Sequence, residues 1–304
     1  SIQFNPTYKS YLMRGRTYQE LDNPNYENAM QDFTEAIKIE PENGLLYANR
    51  GEVAYVLTRN YKANLYENAI SDFNKAIEFG LTFDQEKYIF YMLGNAYIGI
   101  KDYESAISDF NKAIKGKIVR KLAYFWRGNA KRLSGDYEGA ISDFNKAIEF
   151  GYEDKKLAFL YLGRAKSSLK NYEDSIEDFK KVLEIDPNNT SAINSLGFAY
   201  FEFKKYKKAV EYFNKAVLLI SDKTSRRDKA IFYSNRGEAK IYSDEIEDGI
   251  IDLDRSIEID PKYTESYKYR AFGYSKLNKI DKACEDLKKA DLLGAKLENQ
   301  YLEI

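Results

Sequence analysis

The side chains that most often catalyse reactions or bind metals in proteins are scarce in this sequence. It has no histidine, which excludes the commonest general base, the usual zinc ligand and histidine-assisted serine and cysteine nucleophiles. Cys284 is the only cysteine, which excludes an intramolecular disulfide and a multi-cysteine metal site. Gly116-Lys117 lacks the earlier glycine and the following serine or threonine of a phosphate-binding loop. These absences predict a protein that is not an enzyme and uses no metal or other cofactor.

Charge and hydropathy narrow the classes of partner. Lys plus Arg (47) nearly balances Asp plus Glu (48), so the surface as a whole has no positive field that would attract nucleic acid or anionic lipid. The carboxylates alternate with lysines, a pattern typical of solvated helix faces. No apolar stretch approaches the roughly 20 residues that a membrane span requires. We therefore expect a folded, soluble and cytoplasmic protein that binds neither nucleic acid nor a membrane.

An internal repeat shows which elements must position the functional side chains. The octapeptide ISDFNKAI begins at Ile70, Ile107 and Ile141, each time directly after Tyr-Glu-X-Ala. Weaker copies begin at Tyr26, Tyr172, Tyr206, Ile246 and Ile280. Within each copy, apolar residues recur at spacings of three and four, which places them on one face of a helix. The pattern therefore predicts eight similar amphipathic helices.

A second helical segment precedes each copy and carries a small residue near its middle. Small residues allow two helix backbones to approach closely, and the phenylalanine of the octapeptide fills the remaining volume. One helix pair cannot bury its apolar stripe alone, so consecutive pairs must stack on one another. The small residues are Gly15, Gly51, Gly94, Gly128, Gly163, Gly197, Gly237 and Ala271, at intervals of 36, 43, 34, 35, 34, 40 and 34.

With a base period of 34 residues and two helices in each period, the sequence resembles the tetratricopeptide repeat family over nearly its whole length. The resemblance implies an all-α fold, a right-handed superhelical solenoid of antiparallel helix pairs. We predict one solenoid over residues 1–304 that ends in a capping segment, 294–304. The eight repeats are expected at about 8–43, 44–80, 87–120, 121–155, 156–189, 190–226, 230–263 and 264–293.

Departures from the 34-residue period predict where the connections are longer. Extra residues fall within the first two pairs, around Asn23–Pro24 and around Arg59–Asn64. Two connections between pairs are also lengthened, near Leu81–Gln85 and near Ser221–Asp228. Loops that tolerate insertions commonly carry binding specificity, although longer turns without a function are the more common case.

In the family that the sequence resembles, the first helix of each pair lines a concave groove. The resemblance implies which residues face inward, and in the central repeats this set is rich in aromatic side chains around Trp126, the only tryptophan. Trp, Tyr and Arg often carry interface energy, while Asn can bond to a peptide backbone. The alternative is that these aromatic residues pack against neighbouring helices. The candidate peptide-binding residues are Tyr91, Met92, Asn95, Phe125, Trp126, Asn129, Arg132, Tyr161 and Arg164.

An arginine precedes the small residue in five repeats. One interpretation is a row of anion-binding groups. The favoured interpretation is structural: each arginine pairs with the aspartate that precedes the core residue of the second helix, such as Asp72 or Asp143. The five residues are Arg14, Arg50, Arg127, Arg236 and Arg270.

One known activity of the resembled family, the binding of chaperone tails, depends on a residue pattern that can be compared with this sequence. Co-chaperones of this family clamp the C-terminal carboxylate of a chaperone between basic residues and asparagines. Asn49 and Asn235 match the central asparagine of that clamp. The positions that should be basic hold Tyr88, Met92, Glu265 and Tyr269. We therefore expect no binding of chaperone tails.

Three functional hypotheses remain. The first is an adaptor that captures a peptide or helix of a client protein in the groove. The second is an architectural subunit that joins a larger or self-associating assembly through its convex face and ends. The third is the regulatory arm of a longer enzyme. All three are compatible with the resemblance, because fold alone does not determine function.

Overall fold

The computed structural model describes residues 7–61 and 64–295, which form sixteen α-helices and, within these ranges, no strand. The helices alternate between a first and a second member of eight pairs, which confirms the predicted all-α repeat of helix pairs. They group into two compact units that divide between Asp154 and Lys155, with four pairs in each. The capping segment predicted at 294–304 lies outside the described residues from position 296 onwards, and the single solenoid over 1–304 stays a prediction.

Odd-numbered helices are the first helices of the pairs and even-numbered helices are the second. The first unit contains α1 Tyr8–Glu20, α2 Tyr26–Ile39, α3 Gly44–Tyr61, α4 Tyr66–Glu78, α5 Phe83–Gly99, α6 Tyr103–Ala113, α7 Arg120–Ser134 and α8 Tyr137–Glu149. The second unit contains α9 Lys155–Ser168, α10 Tyr172–Ile185, α11 Thr190–Glu202, α12 Tyr206–Leu218, α13 Arg226–Tyr242, α14 Ile246–Ile259, α15 Thr264–Lys276 and α16 Ile280–Leu292.

The small residue of the first helix packs directly against the core residue of the second helix. A β-carbon added to Gly94 would lie 2.7 Å from the ring of Phe110, which is fully buried. A phenylalanine ring stands against the glycine in the same way in the pairs Gly15–Phe33, Gly51–Phe73, Gly128–Phe144, Gly163–Phe179 and Gly197–Phe213. In the eighth pair, Leu287 replaces the phenylalanine, and Ala271 packs in the same cluster. The predicted close approach of the two helices is thus confirmed.

The five arginines that precede the small residues are paired with aspartates. Arg50 donates from Nε and Nη2 to the two carboxylate oxygens of Asp72, both at 2.8 Å. The same fork-to-carboxylate pair joins Arg14 to Asp32, Arg127 to Asp143, Arg236 to Asp252 and Arg270 to Asp286. The structural interpretation of these arginines is therefore confirmed, and they do not form a row of open anion-binding groups.

A left-handed residue closes the turn inside six of the pairs, directly before the N-cap position of the second helix. Gly135, with φ of 93°, is followed by Asp136, whose carboxylate accepts a hydrogen bond from the Gly139 amide. Lysine, aspartate or asparagine occupies the left-handed position in the other five turns, at Lys101, Lys170, Lys204, Asp244 and Asn278. These residues carry backbone strain that glycine avoids.

We expect Lys101→Gly to raise the free energy of unfolding by about 0.5 kcal/mol. Relief of the left-handed strain, worth about 1–2 kcal/mol, outweighs the greater flexibility of glycine in the unfolded chain. Urea denaturation followed by circular dichroism measures the change. Gly135→Lys is the matched reverse substitution and is expected to lower stability, so an equal sign for the two variants would contradict this account.

The extra residues of the long intervals lengthen helices more than loops. In the second pair, α3 continues to Tyr61, so the insertion expected as a loop around Arg59–Asn64 is partly helical. At the predicted start of the third repeat, α5 begins at Phe83, four residues before position 87, with Thr82 and Gln85 forming a capping box. Similarly, α13 begins at Arg226 instead of 230, capped by Ser225.

Candidate functional site

The first helices of consecutive pairs approach one another directly. In the first unit α3 contacts α5 and α5 contacts α7, and in the second unit α9 contacts α11, α11 contacts α13 and α13 contacts α15. Second helices make no comparably extensive contacts with one another among the described residues. Within each unit, the first helices therefore lie on the side where consecutive pairs approach most closely, which is the inner side of the stack. We call the surface formed by α3, α5 and α7 the inner face of the first unit.

Tyr91 and Trp126 lie together on this inner face. Both are half-buried and pack against the core cluster that contains Phe110. Burial raises the pKa of the Tyr91 phenol, while the neighbouring Asn95 carboxamide and Trp126 indole act in the opposite direction with smaller effect. The ring of Tyr88 lies 6.2 Å from that of Tyr91. The structure thus brings together the aromatic residues that the sequence placed on α5 and α7.

Two apolar candidate residues lie in the core instead of on the surface, which corrects the sequence prediction. Phe125 is fully buried, with its ring stacked on Tyr152 at 4.3 Å and tilted against Phe144 at 5.5 Å. It therefore belongs to the packing of its own helix pair and offers no surface to a partner. Met92 is also buried, in the cluster that contains Phe73. For these two residues the alternative interpretation, packing against neighbouring helices, is the correct one.

Some polar groups of the candidate residues already form hydrogen bonds within the chain. Asn95 donates from Nδ2 to the carbonyl oxygen of Tyr91 at 2.9 Å. Asn129 accepts at Oδ1 from Nη2 of Arg132, also at 2.9 Å. Both asparagines are buried, whereas Arg132 is partly exposed. Among the polar candidates of the first unit, Arg132 therefore keeps exposed surface, while the two asparagines bond to the Tyr91 carbonyl and to the Arg132 guanidinium.

Tyr161 and Arg164 lie on α9 in the second unit. Both are partly exposed, and the Arg164 guanidinium lies 6.0 Å from the centre of the Tyr161 ring. Arg164 also lines a depression of 560 Å³ with mixed polar and apolar walls, which include Asn194 and Phe232. The structure brings this Tyr–Arg pair together on the first helix of its own unit.

The later first helices also carry aromatic side chains that contact one another. The ring of Tyr242 lies 5.1 Å from that of Phe201 and 5.2 Å from that of Phe272, so three consecutive first helices share one aromatic row. On α13, Asn235 donates to Asn194 of α11 at 2.9 Å. Because its carboxamide bonds to Asn194, Asn235 is not free to act as a clamp residue.

An apolar pocket of 340 Å³ opens on the first unit between α1, α3 and α5. The buried side chains of Ala48 and Ile89 contribute to its lining. Leu81, just before α5, and Ile118, just before α7, are among its apolar walls, and Ile118 is 72% exposed. Sequence reasoning did not place a site here. The signal that could have found it is the 43-residue interval between Gly51 and Gly94, since Leu81, Asp84 and Gln85 of the lengthened connection line the pocket.

Charged groups line the same pocket. The Tyr88 hydroxyl donates to Oε1 of Glu52 at 2.9 Å, and burial together with this carboxylate raises the pKa of Tyr88. Asp84 stands in the first turn of α5. Arg16 approaches from α1 and donates from Nε to Oδ1 of Asn49 at 3.0 Å. Asn49, the residue that matches the carboxylate clamp, therefore lies in a pocket that contains two carboxylates.

Two negative findings apply to the described residues. No cluster of three or more Cys, Asp or Glu side chains within 7–61 and 64–295 is arranged to hold a metal ion. None of the helices in this part of the chain is long and apolar enough to cross a membrane.

Family models confirm the resemblance. Models of the tetratricopeptide repeat match residues 8–43, 88–115, 122–150, 157–189 and 190–223, together more than half of the chain. The chain belongs to the tetratricopeptide repeat family. As a tetratricopeptide repeat protein, it is in general terms a scaffold for protein interactions.

Similar proteins support the same assignment. Protein unc-45 homolog B of Xenopus tropicalis is 28% identical over 100 residues, which cover 33% of this chain and only 10% of that protein. Part of a tetratricopeptide repeat protein of Cytophaga hutchinsonii has a TM-score of 0.66 at 18% identity, covering 86% of this chain and 98% of its own. A tetratricopeptide repeat protein of Parabacteroides merdae has a TM-score of 0.61 at 19% identity, covering 88% and 99%. At these identities the two structures show the shared fold alone.

Proposed function

We propose that this chain is an adaptor that captures a peptide segment of a client protein on the inner face of the first unit. The observation that carries the proposal is the half-buried pair Tyr91 and Trp126, with the partly exposed Arg132 on the same first helices. Half-buried aromatic rings supply large contact area at little cost in side-chain entropy, and arginine meets carboxylate or carbonyl oxygens. On α9 of the second unit, Tyr161 and Arg164 offer a client the same two kinds of group.

The proposed division of roles follows from burial. Trp126 and Tyr91 act as anchors whose remaining exposed surface a client covers, and Arg132 fixes the orientation of the bound segment. The buried Asn95 and Asn129 support this surface: Asn95 holds the backbone carbonyl of Tyr91, and Asn129 holds the guanidinium of Arg132. Phe125 and Met92 support this surface from the core and take no part in contact.

A second candidate function is that of an architectural subunit. Large apolar side chains are exposed on second helices, with Leu218 at 83%, Leu292 at 81% and Ile251 at 62%. Exposed apolar residues of this size often mark contacts between proteins, although isolated ones are common on ordinary surfaces. This function would use the second helices and leave the inner face uncovered.

Affinity capture with matched variants distinguishes the two functions. Trp126→Ala/Arg132→Ala removes the accessible groups of the inner face, and Leu218→Ser/Ile251→Ser removes apolar surface from second helices. We expect the first variant to lose its captured proteins, since an anchor residue is worth about 2 kcal/mol or about 30-fold in affinity, and the second to retain them. Circular dichroism and thermal melting confirm that both variants fold. Loss from the second-helix variant alone would contradict the adaptor function and favour the architectural one.

A further inference from the structure

The pocket between α1, α3 and α5 has the size and lining of a side-chain receptor. Its volume of 340 Å³ lies at the lower end of the range of about 300–1,000 Å³ for ligand sites. Ala48 and Ile89 belong to the hydrophobic core, which gives the pocket a firm base, and the exposed Ile118 stands at its wall. A pocket of this kind accommodates one large apolar side chain together with the chain segment that carries it.

The charges around the pocket select what lies next to that side chain. Glu52 accepts one hydrogen bond, from Tyr88, and Asp84 is exposed at the start of α5; neither carboxylate forms an ion pair with a lysine or arginine of the described residues. The one cationic group in the lining, Arg16, already donates to Asn49. The two carboxylates outnumber this single cation, so the lining carries a net negative charge that favours a partner with its own positive charge and disfavours an acidic one.

We infer that this pocket binds an apolar anchor residue of a client segment that carries lysine or arginine next to the anchor. The inference rests on the proposed adaptor function and names the chemistry of the client. The anchor fills the space between Ala48, Ile89 and Ile118, and the basic residue pairs with Glu52 and Asp84. Tyr88 holds the Glu52 carboxylate in place through its hydroxyl hydrogen bond, so the pocket is organised before the client arrives.

Part of the pocket wall comes from the residues that make the second repeat longer than 34 residues. Leu81 and Asp84 belong to the lengthened connection and to the extra N-terminal turn of α5, which the 34-residue period does not require. Because the capping box of Thr82 and Gln85 fixes the start of α5, Asp84 is held at a helix N-terminus, where its negative charge is stabilised. The insertion thus supplies both an apolar wall and a carboxylate.

A random peptide library displayed on phage tests the inference directly. Wild-type protein is the bait, and enriched peptides are then synthesised and titrated against three variants. Leu81→Ser/Ile118→Ser alters apolar walls outside the helices, Glu52→Gln/Asp84→Asn removes the two charges, and Trp126→Ala alters the aromatic surface on α7. We expect peptides that combine an apolar residue with adjacent Lys or Arg, weakened about tenfold or more by each of the first two variants. Affinity should also fall as salt concentration rises.

The outcomes separate this inference from the proposed function. Peptides that bind the two pocket variants as tightly as wild type but are lost with Trp126→Ala would overturn the inference and leave the adaptor function standing. Enrichment of acidic peptides that depend on the pocket would show that Arg16 dominates, which also overturns it. A dimer in sedimentation velocity that disappears in Leu81→Ser/Ile118→Ser would assign the pocket to a second copy instead. If no peptide is enriched, both proposals are contradicted.

Discussion

Asp143→Asn is expected to lower the free energy of unfolding by about 3–5 kcal/mol, the usual loss when one partner of a buried ion pair is removed. The Asp143 side chain is 1% exposed and accepts from Arg127 Nε at 2.7 Å and from Lys131 Nζ at 2.9 Å. An asparagine carries no charge to offset these two cations, whose own side chains are largely buried. Urea denaturation followed by circular dichroism measures the loss.

Asp109→Asn is the matched control in the third pair. Leu93 stands where five of the other pairs have arginine, so among the described residues Asp109 forms an ion pair only with Lys112, at 2.8 Å. Burial raises the pKa of Asp109, so the folded state holds this proton more tightly than the unfolded chain does. Its ionised form therefore costs stability above that pKa, and the cost fades as pH falls through it. Asparagine removes the cost, and we expect a loss no greater than about 1 kcal/mol at neutral pH. Equal losses in the two variants would contradict the account of the ion pairs.

Phe110→Ala is expected to lower the free energy of unfolding by about 3–5 kcal/mol, because it removes a fully buried ring and leaves a cavity against Gly94. The effect reaches the inner face, since the rings of Phe110 and Tyr91 lie 6.2 Å apart. In a stack of repeats each pair is stabilised chiefly by its neighbours. Hydrogen exchange should therefore accelerate most in α5 and α6 and in the helices that contact them, α3, α4 and α7.

Phe83→Ala is the matched control, because it makes the same substitution at a side chain that is 59% exposed, at the start of α5. We expect it to change stability by less than about 1 kcal/mol. A loss at Phe83 as large as that at Phe110 would show that the ring-to-glycine contact is not the source of stability in this pair.

The repeat could be predicted from sequence because its signals are local and recur. Glycine at one fixed place, phenylalanine at another and aspartate before it each have a single physical reason, and their contacts in the structure match those reasons. The arginine–aspartate pairs followed from the same logic, since a long side chain next to the small residue reaches the facing helix. The helix bounds were less certain where the period changes, because extra residues can extend a helix or a loop.

The surface was harder to predict than the fold. Adjacent positions on one helix, such as Phe125 and Trp126, have similar residue types but differ in burial, because a small rotation of the helix decides which of the two is fully buried. Tyr152 covers Phe125, and nothing in the sequence indicates that contact. The pocket near Leu81 depends on three helices and two connections at once, so no single repeat reveals it.

Photo-crosslinking from defined positions tests the adaptor function most directly. A photoreactive phenylalanine analogue replaces Leu133, 40% exposed on α7 next to Arg132, in one variant and the exposed Leu218 of α12 in another, so Trp126 stays intact, and each variant is irradiated in lysate of the source cells. The adaptor function predicts discrete adducts from position 133 that mass spectrometry assigns to client proteins, and none of these clients from position 218. Adducts from position 218 without adducts from position 133 would contradict it and place the interaction on the second helices.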